Sequence, residues 1–187
     1  MIPIFEQGRG IGIGHSIDSF FQRFTEICEK SKSENQKKTF AFILYDFNDT
    51  TIKRILKDKG VFTKLDRLTG NSLDVFYLNS NDVEIFNNFN KIISHSFNFK
   101  ENLQLPCMVF FDFFYNEIEN VTIVALEQNN VLLGFNEITN VLKNQIIGGN
   151  RIENQFSLPK GLVFIYKLCE KIGISILTDN IKRFFIS

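Results

Sequence analysis

Several kinds of residue that mark particular classes of protein are scarce or missing in this chain of 187 residues. Tryptophan is absent, histidine occurs twice, and proline and cysteine occur three times each. Three widely spaced cysteines, an odd number, do not make a disulfide framework. No stretch approaches the roughly 20 apolar residues that cross a membrane, and Met1–Gln7 is too short for the apolar core of a secretory signal. These absences predict a reduced, cytoplasmic protein that is not held in a membrane.

Net charge is also missing, since 21 basic residues balance 21 acidic ones. Broad binding to nucleic acid or to anionic membranes needs an excess of positive charge, so we expect no strong nucleic-acid binding. His15 and His95 are too far apart in sequence to form a recognised zinc pattern with the cysteines. The chain has no Gly-x-Ser-x-Gly motif and no paired nucleophile and histidine that would indicate a hydrolase. We therefore predict neither a metal nor a cofactor.

Phenylalanine, in contrast, is abundant, with 22 residues. Together with many Asn, Ile and Lys residues, this composition indicates the coding bias of an AT-rich bacterial genome. Phenylalanine prefers protein interiors, so the simplest interpretation is an aromatic core. A chain of this length forms one full-sized domain that buries roughly 70% of its unfolded surface.

The clearest local pattern is a β-hairpin. Cys107–Tyr115 is apolar or aromatic except for Asp112, and Val121–Leu126 is β-branched and apolar. Asn116–Asn120 is the polar stretch that would form the turn. Continuous apolar runs are typical of strands buried on both faces in the middle of a sheet. Pro106 lacks an N–H group, so it belongs at the start of the first strand.

Two more strands and four helices are predicted around this hairpin. The strands are Thr39–Phe47 and Leu73–Leu78, and the helices run from Ser16 to Ser31, from Asn48 to Lys57, from Ser80 or Asn81 to Phe97, and from Phe135 to Ile146. The secondary structure of Val61–Thr69 is ambiguous. A polar linker is predicted at Lys30–Lys38 and a short extended arm at Met1–Gln7. The order α-β-α-β-α-β-β-α predicts an α/β fold with a mixed four-stranded sheet, parallel first strands and helices on both faces.

This arrangement resembles the thioredoxin-like fold, in which β-α-β and a helix precede a proline, a β-hairpin and a closing helix. The resemblance covers about Thr39–Ile146, with Pro106 as the proline and Phe135–Ile146 as the closing helix. It implies a cis peptide bond between Leu105 and Pro106, with Leu105 beside the start of the helix that follows the first strand. A flavodoxin-like or TIR-like α/β domain is the alternative, because βα units alone do not separate these folds.

The sequence departs from that family where its chemistry would be. Thioredoxins carry Cys-x-x-Cys at the start of the helix after the first strand, where the helix N-terminus stabilises a thiolate. Here the position is Asn48–Thr51 (NDTT), which excludes the usual disulfide exchange. Cys107 is the thiol nearest to this position in the resemblance. It is either a peroxidatic or conjugating cysteine or a small buried hydrophobe, and the lack of nearby cations favours the second interpretation.

The run Gly8–Gly14, which precedes the first helix, is similar to phosphate-cradling loops, whose backbone amides attract anions. The backbone amides of an anion site there would come from Gly8, Gly10, Gly12 and Gly14. The side chains of Arg9 and His15 would supply a positive charge and a hydrogen bond. No clear strand precedes the run, and no Lys-Ser or Lys-Thr follows it. A flexible arm or a closely packed strand is therefore the alternative.

One hypothesis is that aspartates form the metal site of a nuclease or phosphatase. The four candidates are Asp46, Asp49, Asp66 and Asp74. Asp46 and Asp49 follow a predicted strand, where α/β folds bind ligands. No Asp-x-Asp pair, carboxylate-x-Lys triplet or matched histidine completes such a site. Helix capping and solvated loops are therefore the favoured roles.

The C-terminal part of the chain, residues 148–187, is predicted to be a helical extension packed on a core of residues 39–147. Residues 1–38 would precede this core as a Gly-rich arm and first helix. The predicted helix Leu158–Ile172 is apolar on more than one face, which fits either internal packing or an interface. The interface candidates are Phe164, Tyr166, Phe184 and Phe185.

The leading hypothesis is a thioredoxin-like protein-interaction module without redox activity. It would be an accessory subunit of a bacterial multi-protein system, such as phage defence, and would bind a protein partner or form a homo-oligomer. The alternative is an enzyme or sensor that binds a nucleotide or another anion through Gly8–His15.

Overall fold

The structure, a computed structural model, describes residues 2–5, 15–70, 72–97, 99, 103–115, 117–127 and 130–147. In these residues the chain forms six strands and five helices. The strands are β1 (Ile2–Phe5), β2 (His15–Ser16), β3 (Lys38–Leu44), β4 (Leu73–Asn79), β5 (Cys107–Phe114) and β6 (Glu117–Ala125). The helices are α1 (Ile17–Ser33), α2 (Thr50–Lys57), α3 (Lys59–Thr69), α4 (Val83–Ser96) and α5 (Val131–Ile147).

The strands of this part of the chain join one mixed sheet, in the order β2-β1-β4-β3-β5-β6. β1, β2, β3 and β4 are parallel, while β5 is antiparallel to β3 and β6 is antiparallel to β5. The α/β class, the mixed sheet with its four predicted strands, the parallel pairing of β3 with β4 and the antiparallel hairpin are therefore confirmed. The antiparallel pairing of β5 with β3 was not predicted. The sheet is wider than predicted, because the expected N-terminal arm contains β1, which pairs with β4 along its whole length.

Phenylalanine rings fill the space between the sheet and the helices on one face. Phe24 of α1 meets Phe40 of β3 and Phe76 of β4 edge-on, with ring centroids 4.7 and 5.8 Å apart. Phe89 of α4 packs against Phe42 of β3 at 6.2 Å. These side chains are at most 3% exposed. Much of the phenylalanine thus lies in the core, as predicted, and burying each such side chain contributes roughly 1.5–3 kcal/mol.

The helices α2, α3 and α5 cover the opposite face of the sheet. Successive side chains of a strand point to opposite faces, so Tyr77 points away from the layer that holds Phe76. The Tyr77 hydroxyl donates to the Leu56 carbonyl of α2 at 3.5 Å, which places α2 on this face. The three helices contact one another. The result is a three-layer α/β/α arrangement with helices on both faces, as predicted.

β3 ends at Leu44 and not at the predicted Phe47. Two more boundaries differ from prediction in stretches with polar residues. α1 continues to Ser33, so the linker is shorter than the predicted Lys30–Lys38. β6 begins at Glu117, inside the stretch Asn116–Asn120 that was predicted as the turn. β6 has a neighbour on one side only among the described strands, and a strand at the edge of an antiparallel pair tolerates polar side chains. Polar composition alone therefore does not mark the turn.

Polar side chains cap two helices, one in a stretch that was ambiguous and one that is longer than predicted. The ambiguous stretch Val61–Thr69 belongs to α3, and the Asp58 side chain accepts an N–H of its first turn at 2.9 Å. α5 begins before Phe135, since the Asn130 side chain accepts a hydrogen bond from the Leu133 N–H at 3.0 Å. Such caps satisfy amides that have no partner within the helix.

None of the helices in the described residues is long and apolar enough to cross a membrane. The predicted C-terminal extension, residues 148–187 with its helix Leu158–Ile172, lies outside those residues.

Candidate functional site at the carboxyl edge of the sheet

The carboxyl ends of the parallel strands β1, β3 and β4 lie at one edge of the sheet, the position where α/β folds bind ligands. Phe5 at the end of β1 pairs with Asn79 at the end of β4. β2 brings the chain back to this carboxyl edge, since Ser16 pairs with Phe5 and α1 follows directly. The chain on both sides of Gly8–Gly14 is therefore anchored here, although the glycines themselves are not among the described residues.

Pro106 lies at the same edge. Cys107 at the start of β5 pairs with Leu44 at the end of β3, so Pro106 lies beside the chain that leaves β3. The peptide bond between Leu105 and Pro106 is cis, which is the geometry that the family resemblance implies. The Pro106 carbonyl accepts a hydrogen bond from the Leu126 N–H at 2.9 Å, and this bond ties the start of β5 to the end of β6.

Asp46 and Asp49 lie at the carboxyl edge, between β3 and α2. The Asp46 side chain accepts a hydrogen bond from the Asn48 N–H at 2.8 Å, which stabilises the turn. The Asp49 side chain accepts from the Ile52 N–H at 2.9 Å and so caps α2. Such a cap typically contributes about 1 kcal/mol. Both carboxylates have the structural roles that the sequence analysis favours.

The other two aspartates of the metal hypothesis lie elsewhere. Asp74 forms an ion pair with Lys38 at 3.1 Å near the first residues of β3 and β4, at the opposite edge of the sheet. Asp66 lies in α3. Within the part of the chain that the structure describes, no three histidine, cysteine or carboxylate side chains come together to hold a metal ion.

α4 starts at the carboxyl edge and is capped by Asp82, not by Ser80 or Asn81 as predicted. The Asp82 side chain accepts from the N–H groups of Glu84 at 2.8 Å and Ile85 at 3.2 Å. The Ser80 hydroxyl oxygen accepts from the Asp82 N–H at 2.9 Å and shapes the turn before the helix. Sequence reasoning missed Asp82 because serine, asparagine and aspartate, which are all good caps, follow one another here.

A cluster of aromatic rings with one lysine lies near the start of α2. The Lys53 ammonium is 3.6 Å from the centre of the Phe47 ring and 5.5 Å from that of Phe86. Phe86 of α4 also packs edge-on against Tyr45, with ring centroids 4.8 Å apart. A cation placed over aromatic faces is held by the ring quadrupole. The cluster therefore joins α2 and α4 across the end of β3.

Burial lowers the pKa of Lys53, and the nearby charge of Lys57 lowers it further, while Asp46 and Asp49 oppose the shift. The side chain is engaged with aromatic rings, so this site is a packing contact. Sequence reasoning did not single out Lys53, because no spacing rule brings together a loop residue, a residue of α2 and Phe86 of α4.

The thiols in the described residues are buried. Cys107 is fully buried in β5, and burial raises its pKa to about 12. Burial, followed by the negative charges of Glu29 and Asp74, raises the pKa of Cys28 well above its usual value. A nucleophilic cysteine needs the opposite shift. Cys107 therefore has the surroundings of a small buried hydrophobe, the favoured interpretation.

Several candidate residues lie outside the described part of the chain. They are Gly8, Arg9, Gly10, Gly12 and Gly14 of the anion hypothesis, and Phe164, Tyr166, Phe184 and Phe185 of the interface hypothesis. His15 is part of β2, where it pairs with Ile4. His95 lies in α4, on a different element from His15.

Comparison of the chain with protein-family models, with curated proteins and with solved structures found no match. The function is therefore inferred from the residues of the structure, first of all those at the carboxyl edge of the sheet. Among the described residues at this edge, the carboxylates make turns and caps, the lysine contacts aromatic rings and the neighbouring thiol is buried.

Proposed function

We propose that this chain is a thioredoxin-like domain without redox activity that works as a protein-interaction module, an accessory subunit of a larger assembly. The strand order β1-β4-β3-β5-β6 and the cis proline before the hairpin support the thioredoxin-like topology. One observation carries the loss of redox activity. At the start of α2, the stretch Asn48–Thr51, which matches the Cys-x-x-Cys position of a thioredoxin, contains no cysteine, and its Asp49 carboxylate caps the helix.

Disulfide exchange depends on a thiolate, which the N-terminus of a helix stabilises. Cys28 and Cys107, the thiols in the described residues, have raised pKa values and no exposed surface. Neither thiol can attack a disulfide of another protein from the core. The domain therefore keeps the proline and the helix of a redox fold and uses other surfaces for its function.

Exposed apolar side chains on α5 support an interaction role. Leu132 is 68% exposed, Leu133 51% and Ile147 80%. Leu132 and Leu133 are neighbours at the start of α5, and Ile147 is its last residue. Exposed apolar surface that is contiguous is typical of binding sites for other proteins. The predicted interface residues Phe164 and Phe184 lie outside the described residues.

An affinity pull-down from the native host, followed by mass spectrometry, tests the proposal. We expect a defined partner with the wild-type chain and its loss with Phe164→Asp or Phe184→Asp. Circular dichroism of each variant checks that the core still folds. Light scattering on the purified protein detects a homo-oligomer instead. A monomer that captures no partner would contradict the proposal.

Binding of a nucleotide or another anion at Gly8–His15 is a second candidate. One observation favours it: β1 and β2 anchor the chain on both sides of the glycine run at the carboxyl edge, next to the start of α1. A helix start attracts anions. Thermal unfolding with a panel of nucleotides tests this candidate, with stabilisation expected for the wild type and lost in Gly10→Ala/Gly12→Ala. Absence of any thermal shift in the wild type would argue against it.

A further inference from the structure

A groove of about 850 Å³ lies between α2 and α5. Thr51, Arg54 and Lys57 line it from α2, and Asn130, Val131 and Leu132 line it from the start of α5. We refer to it as the α2/α5 groove. Its volume is in the range of pockets that bind small molecules.

Two cations give the α2/α5 groove a positive side. Arg54 and Lys57 are exposed, and neither makes an ion pair with a described residue. Asp58 also lines the groove, and its side chain caps α3. Two positive charges and one negative charge leave one net positive charge. This balance suits the single charge of a carboxylate better than the double charge of a phosphate monoester.

The other side of the groove is apolar. Leu132 is 68% exposed and lies next to the half-buried Val131. An exposed leucine beside two exposed cations is the complement of a chain segment in which an acidic residue neighbours an apolar one. A small inorganic anion would leave Leu132 uncovered.

We infer that the α2/α5 groove is the docking site for an acidic, leucine- or phenylalanine-containing segment of a protein partner. A carboxylate of the segment contacts Arg54 and Lys57, and a neighbouring apolar side chain covers Leu132. This inference rests on the proposed interaction function and assigns that function a surface and a ligand chemistry.

Fluorescence polarisation with a labelled peptide of alternating glutamate and leucine tests the groove on the full chain. The wild type is expected to bind, with affinity that falls as salt rises. Arg54→Gln/Lys57→Gln should weaken binding about tenfold, a loss that two exposed ion pairs can supply. Leu132→Ser should weaken it as well. The matched control Arg67→Gln/Lys91→Gln removes the same charges from exposed positions of α3 and α4 and should bind as the wild type does.

Three outcomes would overturn the inference: no binding of the glutamate–leucine peptide to the wild type, equal loss in the groove and control variants, or equal binding of a glutamine–leucine peptide. The pull-down separates this failure from that of the proposed function. A natural partner captured equally by the wild type and by Arg54→Gln/Lys57→Gln would reject the groove and leave the interaction function standing.

Discussion

Cys28, Cys107, Tyr45 and Tyr77 lie in the core and hold their protons more tightly than usual. Burial raises the pKa of Cys107 from 9.0 to about 12, and burial is also the largest cause of the raised pKa values of Cys28, Tyr45 and Tyr77. Each group is neutral when protonated, so the folded state favours the protonated form. In the unfolded chain the same groups lose their protons at ordinary pKa values.

We predict that the free energy of unfolding falls in alkaline solution, starting near the unfolded pKa of cysteine, 9.0. Above that pH the unfolded chain binds fewer protons than the folded one, so each group lowers stability by up to about 1.4 kcal/mol per pH unit. Below it, the contribution of Cys107 is fully present. Urea titrations from neutral pH to about pH 11 measure the effect. Cys107→Ala should show a shallower decline, and a slope equal to that of the wild type would contradict the prediction.

The Tyr45 hydroxyl joins the end of β3 to the end of β4 by donating to the Leu78 carbonyl at 2.6 Å in buried surroundings. Tyr45→Phe removes this donor, and we expect the free energy of unfolding to fall by about 1–2 kcal/mol, because the buried carbonyl loses a partner. Urea unfolding measures the change. Tyr115→Phe is the matched control, since Tyr115 is 61% exposed. A Tyr45→Phe variant as stable as this control would show that the hydrogen bond contributes nothing.

At the scale of elements, a register shift in the β5–β6 hairpin between Phe110 and Asp112 accommodates a buried polar cluster. Asn120 lies opposite this shift with a φ of 52°. Its amide donates to one Asp112 oxygen at 2.7 Å, Lys37 pairs with the same oxygen at 2.7 Å, and the Thr39 hydroxyl donates to the other at 2.7 Å. These partners compensate for burying a carboxylate that is 1% exposed.

Two substitutions at Asn120 separate the backbone effect from the hydrogen bond. Asn120→Gly keeps the positive φ and loses the amide, so we expect a loss of about 1.5–3 kcal/mol, the range for a hydrogen bond to a charged group. Asn120→Ala also forces a side chain into the left-handed region, which should cost about 1 kcal/mol more. Urea unfolding of both variants measures the difference. Equal stability of the two would mean that φ is not constrained here.

The buried strands could be predicted from the sequence because β3, β4 and β5 are long apolar runs that need cover on both faces. β1 could not, since Ile2–Phe5 is short and contains Pro3, and a proline argues against a strand. Its pairing with β4 is a long-range contact that no local pattern reports. The strand predicted at the position of β6 was too short for a related reason. Glu117 and Glu119 are polar, and they lie in a strand whose outer side has no neighbour among the described strands.

In the candidate site, the sequence predicts only those roles that depend on residues adjacent in the chain. The capping role of Asp49 could be predicted from its position directly before α2. The ring contacts of Lys53 and the groove that contains Arg54 depend on α4 and α5, which lie far along the chain. Their assembly follows from the packing of helices on the sheet, and no spacing in the sequence encodes it.

At the scale of the whole molecule, the proposed thioredoxin-like topology predicts where redox chemistry can be installed. Pro106 lies beside the chain that leaves β3, and this chain leads to Asn48 and Thr51 at the start of α2. The start of α2 would stabilise a thiolate there. We expect Asn48→Cys/Thr51→Cys, in a Cys169→Ser background, to form an internal disulfide and to catalyse the reduction of insulin by dithiothreitol. The Cys169→Ser parent should show no activity above the uncatalysed rate.

A second helix of this chain provides the control for that gain of activity. Lys57 and Gly60 have the same positions relative to the cap Asp58 of α3 as Asn48 and Thr51 have to the cap of α2. Lys57→Cys/Gly60→Cys therefore offers two thiols at the start of a helix that does not follow β3. Activity in the α2 pair alone would support the proposed topology, because, of the two pairs, only this one lies at the start of the helix that follows β3. Equal activity of the two pairs would assign the chemistry to the helix start, and inactivity of an oxidised α2 pair would count against the topology.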